Sequence, residues 1–158
     1  MSDEDKLTEP EFHKKSAVDS FNLVWSLLDK QDRTQEDDDR MLHAAHSSRF
    51  HWGEIGTPLE FERGEWQISR VYSVLKKPES AVYHAMRCLE ICKENEIVDF
   101  DIAFAYEAMA RAKAIAGDIS ESQKYAQLAK EAGEKIEDKG NRDYFFSELE
   151  TVPGHSNE

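Results

Sequence analysis

Three groups of side chains in this sequence have the types and spacing for chemistry. Arg63, Trp66 and Arg70 stand at i, i+3 and i+7, one stripe of a helix if the segment is helical. Two guanidinium groups beside an indole suit a carboxylate or phosphate clamp with an aromatic shelf, the chemistry of a small anionic ligand or an acidic peptide. The competing expectation is internal: Trp66 packs against a neighbouring helix, and the arginines pair with Glu62 and Glu107. The second group is His43, His46, Arg49, His51, Trp52 and Glu54, which includes three of the six histidines. On a helix His43 and His46 share a face one turn apart, and Glu54 follows two turns later. Those three are the candidate metal ligands, although Zn²⁺ ordinarily takes three or four ligands in a closed arrangement and no H-E-x-x-H motif is present. Hydrogen-bonded packing is the expectation for this group, ahead of a polar ligand-binding role. The third group, His84, Cys88 and Cys92, offers one soft-metal ligand type per helical turn. Both cysteines fall within an alanine-lined stripe, where a free thiol behaves as a small apolar side chain, and core packing is expected.

Around these groups the usual catalytic signatures are missing. The chain has no glycine-rich phosphate loop, nucleophile elbow, paired-acid site or dinucleotide fingerprint, so no enzymatic activity and no cofactor is implied. A net charge of −13, from 33 acidic against 20 basic residues, repels phosphate backbones and anionic lipid. Neither nucleic-acid nor membrane binding is expected. No secretory signal or apolar run of spanning length is seen, which points to a cytoplasmic protein. Cys88 and Cys92, four apart on one helix, are poorly placed for a disulfide.

The elements that must position these residues are helices. With 158 residues, seven glycines and four prolines, the chain reads as one all-α domain with long unbroken segments. Residues 1–8 read as a disordered acidic N terminus, and Thr8 with Glu11 forms a capping-box pattern for a first helix to about Asp29. Glu36 to Asp39 is an acidic run suited to the N-terminal end of a second helix, with metal binding the lesser alternative. Gly53 and Gly56-Thr57-Pro58 end that helix and start a third, which runs to about Lys76 with Phe61, Ile68, Val71, Tyr72 and Leu75 on its core face. A fourth begins at Pro78, a fifth spans about 98–116, and a sixth follows Gly117. The expected hairpins are about 9–53, 58–94 and 98–137, with a short capping helix at 141–150 and a flexible tail at 151–158.

A shift of 41 residues brings Trp25 onto Trp66, Arg70 onto Arg111, Leu27 and Ile68 onto Met109, and Ala44 and Ala85 onto Ala126. With Ile68, Ser69, Tyr72, Ala81, Ala85 and Cys88-Leu89-Glu90, the middle unit resembles the tetratricopeptide-repeat (TPR) family in its small-large packing pattern. The unit after it follows more loosely, through Met109, Ala110, Ala116-Gly117-Asp118, Ala126 and Ala129. The chain departs from the family in a longer period, in Glu65 where Trp is frequent, and in lacking a closing Pro. The resemblance implies a short TPR-like α-solenoid of about six to seven helices whose first helices line a concave face. Carried over position by position, the inward-facing residues are Asn22, Trp25 and Asp29, then Arg63, Trp66, Arg70 and Ser73, then Phe104, Glu107 and Arg111. The function implied is a non-catalytic interaction module that binds a peptide, a protein partner or a small anionic ligand. The alternative is a helical-bundle metal protein or enzyme built on His43, His46 and Glu54. A homodimer through an exposed Trp52 or Trp66 is a further expectation.

Overall fold

Each helix starts where local chemistry satisfies its free N–H groups. In the computed structural model, which describes residues 6–154, seven helices and no strands form among the described residues. Helix α1 (Glu9–Leu28) opens with the expected capping box, Glu11 N donating to Thr8 Oγ1 (3.2 Å) and Thr8 N to Glu11 Oε1 (3.4 Å). Helix α2 (Gln35–Ile55) repeats the device with Thr34 and Asp37. Its acidic run serves the helix start, since Asp37 also takes Lys30 and Asp38 takes Arg33, both at 2.8 Å. Helices α3 (Pro58–Val74) and α4 (Pro78–Glu94) begin on prolines, whose missing N–H costs nothing there. Helices α5 (Phe100–Ile115), α6 (Ile119–Glu134) and α7 (Lys139–Leu149) follow, with Asp118 and Asp138 capping the last two.

The turn after α3 and the turn after α5 are the same turn. Lys76, at φ 61°, and Gly117, at φ 82°, stand one repeat apart. In each, paired backbone bonds close the helix: Lys76 N to Ser73 O and Lys77 N to Tyr72 O, then Gly117 N to Ala114 O and Asp118 N to Lys113 O.

The chain folds as three antiparallel hairpins, α1–α2, α3–α4 and α5–α6, laid side by side so that α3 meets α2 and α5, while α7 closes against α5 and α6. Positions one repeat apart share the same burial: Leu27, Ile68 and Met109 are buried, as are Ala44, Ala85 and Ala126. Truncating Ile68 or Met109 to alanine should cost about 2–5 kcal/mol. One hydroxyl locks each of the last two hairpins. Ser69 on α3 donates to Ala81 O at 2.8 Å, and Ser122 on α6 donates to Ala110 O at 2.8 Å, the same pair of positions with the donor exchanged.

Several expectations are revised. Helix α2 passes through Gly53 and stops only at Gly56, whose N–H bonds Trp52 O at 2.7 Å. Helix α3 is buried on more than one face, including Glu62 and Ser73, because α2, α4 and α5 all pack on it. Gly64 is needed for that packing, since a Cβ there would lie 2.8 Å from Arg49 Cδ. At the C terminus the tail is not free where it was expected to be: Val152 is buried and Thr151 is bonded to Arg111. At the N terminus Thr8 is engaged as a cap. Residues 1–5 and 155–158, including His155, lie outside the described residues.

Candidate functional site: an aromatic cleft on the first helices

Helices α1, α3 and α5 each turn aromatic side chains toward one another, and α7 adds a fourth edge. The result is a cleft of 360 Å³ walled by Phe21, Trp25, Trp66, Phe100, Phe104 and Tyr144. Trp25 and Trp66, equivalent residues of successive hairpins, lie tilted with centroids 5.7 Å apart. Phe104 meets Trp66 edge-on at 5.6 Å and lies 4.7 Å from Phe100. Such tilted and edge contacts match the ring quadrupoles and hold the wall in shape. A smaller cavity of 180 Å³ adjoins it, sharing Phe21 and Arg63 and lined also by Trp52.

The polar floor of the cleft is Glu62, Asp101 and Cys88, with Arg63 at its edge. Arg63 Nε and Nη2 donate to Asp101 Oδ1 and Oδ2 at 2.8 and 3.1 Å, a bidentate pair on which Arg63 stays half exposed. Glu62 has no such partner. It lies 3.1 Å from Cys92 Sγ, and burial, followed by the charge of Asp101, pushes its carboxyl up to about 11. A hydrogen bond to Cys92 and burial both push the Cys88 thiol up, while the bond from Cys88 draws Cys92 down.

Beside the cleft lies a buried charge network. Glu107, fully buried, accepts from Trp66 Nε1 (3.2 Å), Arg70 Nη2 (3.1 Å) and Arg111 Nε (2.8 Å). Arg70 also reaches Glu148 of α7 at 3.1 Å, and Arg111 donates to Glu148 O and Thr151 Oγ1. Two arginines against two glutamates leave no net charge. Burial lowers the Arg111 pKa, with Glu107 opposing, whereas Glu107 and Glu148 outweigh burial at Arg70 and raise it.

The clamp of Arg63, Trp66 and Arg70 therefore does not stand free. Arg70 and Arg111 are each only 12% exposed at the side chain and already engaged, Arg70 by Glu107 and Glu148 and Arg111 by Glu107, Glu148 O and Thr151, because α7 folds back across their side of the stack. Trp25, Trp66, Glu107 and Arg111 do converge with them. Glu62, expected beside the arginines, instead faces Cys92. The second group is dispersed. His43 and Glu54 are exposed, while His46 bonds the Tyr72 hydroxyl at 3.0 Å and meets the His84 ring. Burial, then His84, lowers the His46 pKa. His84 bonds Glu65 at 2.6 Å, and Arg49 lies over the Phe61 ring and near Glu65. His51 pairs with His13 of α1 at 2.8 Å, so it turns away from His43 and His46 as its helical position dictates. Among the described residues, the His, Cys, Asp and Glu side chains close enough to share an ion are Glu62, Cys88 and Cys92, not His43, His46 and Glu54. Trp52 and Trp66 are both partly buried, so neither offers the exposed ring expected of a dimer contact.

Sequence reasoning missed Asp101, Phe100 and Tyr144 as cleft residues and misplaced Glu62. A usable signal existed: Glu62 is one turn before Trp66, and Phe100 one turn before Phe104, so each shares the face of a residue already placed inward.

Fold and site together define an all-α protein of paired helices with an aromatic cleft along its first helices. No protein-family model, curated protein or solved structure matches the chain.

Proposed function

We propose that this protein is a non-catalytic, TPR-like interaction module that binds a peptide or protein partner by taking an apolar or aromatic side chain into the cleft. The observation that carries this reading is the cleft itself: six rings from α1, α3, α5 and α7 enclose 360 Å³, near the lower end of the roughly 300–1,000 Å³ of ligand pockets. The Arg63–Asp101 pair and Tyr144, 47% exposed, supply polar groups to orient the partner backbone. A small anionic ligand is less favoured, since Arg70 and Arg111 are already neutralised. A cytoplasmic setting belongs to the proposal, because the free Cys88 and Cys92 suit reducing conditions.

The test is selection from a displayed random-peptide library, followed by calorimetric titration of the enriched peptides. Enrichment of an aromatic or branched apolar anchor, with binding at least tenfold weaker to Tyr144→Ala and Phe21→Ala, is the expected result. Peptides that bind both variants as tightly as the wild type, or no enrichment at all, would sink the reading.

A further inference from the structure

Helices α3, α4 and α5 meet at a buried corner beneath the cleft. Glu62 from α3 and Cys88 and Cys92 from α4 bring one carboxylate oxygen and two sulfurs to within 4.8 Å of one another. All three residues are at most 2% exposed. A tetrahedral Zn²⁺ with sulfur at about 2.3 Å and oxygen at about 2.0–2.2 Å separates neighbouring ligands by roughly 3.5–3.8 Å. The trio falls within 4.8 Å, and its 3.1 Å Glu62–Cys92 contact would open slightly around an ion.

Packing alone does not account for the carboxyl. An apolar side chain of similar volume would cost less in this place than a buried acid. The adjacent cation, Arg63, gives its hydrogen bonds to Asp101, and the short contact of Glu62 is with Cys92 rather than with a cation. The corner is also reachable, because Glu62 and Cys88 both line the cleft. We propose that Glu62, Cys88 and Cys92 form a three-ligand site for a thiophilic divalent cation of the Zn²⁺ class, whose fourth position opens on the cleft.

Two thiolates with one carboxylate suit a borderline-soft ion, whereas Mg²⁺ and Ca²⁺ take oxygen shells. On loading, the thiols lose their protons to solvent and ligate as thiolates, and two thiolates with one carboxylate around a dication leave the site one unit negative. The site stands whether or not the cleft takes a peptide, and it is read directly from the metal.

Untagged protein, stripped with chelator and kept reduced, is titrated with Co²⁺ and then Zn²⁺. One equivalent of Co²⁺ should give sulfur-to-cobalt charge-transfer absorption and tetrahedral ligand-field bands, which Zn²⁺ abolishes. Cys92→Ala, which suits the alanine-lined stripe, and Glu62→Gln, which keeps the shape, should each bind at least tenfold more weakly. Zn²⁺ should raise the Tm of the wild type alone. Absence of charge-transfer absorption in reduced wild-type protein overturns the proposal, as does wild-type affinity in both variants.

Discussion

Trp66 donates its indole N–H to Glu107 across 3.2 Å, and the two residues hold the same position in successive hairpins, 41 residues apart. With Trp25 tilted against Trp66 at 5.7 Å, three equivalent positions form one column through the stack. The column ends in a carboxylate where a third ring would stand, and that carboxylate gathers Arg70 and Arg111.

Arg70→Ala should therefore weaken the fold rather than only a binding surface. It leaves Glu107, fully buried, with one cation instead of two, and releases Glu148. Removing one partner of a buried pair costs about 3–5 kcal/mol, and Arg111 retains part of that here. A loss of about 2–4 kcal/mol in urea denaturation is expected. An unchanged midpoint would show that the network contributes nothing.

Glu62→Gln should stabilise the metal-free protein at neutral pH. The folded chain keeps a proton on Glu62 up to about pH 11, while the unfolded chain releases it near 4.5. Across that window the native state binds more protons, so wild-type stability is full below 4.5 and falls as pH rises. The gain for the variant near pH 7 should be on the order of 1–3 kcal/mol. Thermal melts in chelator should show this gap widening with pH; a constant gap would refute it.

Lys76→Gly should stabilise the second hairpin by about 1 kcal/mol, because Lys76 holds a left-handed conformation that its equivalent Gly117 adopts without strain. Gly117→Ala should cost about as much. Paired denaturation curves check both signs.

Gly133→Ala should loosen α7. A Cβ at Gly133 would lie 2.3 Å from Phe145 Cε1, too close without moving a fully buried ring. We expect about 1–3 kcal/mol of destabilisation and faster amide exchange from 139 to 149. Unaltered exchange in α7 would count against this account of its docking.

Much of the helical framework was legible because its signals are local. Thr8 with Glu11, Pro58, Pro78 and Gly117 mark boundaries through backbone chemistry that needs no partner. The repeat was legible where packing repeats, at Ile68 and Met109 or Ala85 and Ala126. What the sequence could not reveal was which polar groups meet across helices. Arg63 and Asp101 are far apart in the chain, as are Arg70 and Glu148. The core face expected for α3 left Glu62 out, yet the side that carries it is itself covered by α5. A helix packed on three sides has no solvent face for a polar stripe to announce.

The Arg70–Glu148 bridge, which spans 78 residues of sequence, changes how the molecule should come apart. Stacks in which each unit touches only its neighbours melt piecewise from their ends, as one-dimensional arrays do. Here the middle hairpin is tied directly to the last helix, past the hairpin between them. Loss of the C-terminal segment thus releases a charge in the centre, and the second and third hairpins should unfold together with α7. During synthesis that tie can close only once Glu148 has emerged, so the central hairpin completes its charge network after the third hairpin has been made.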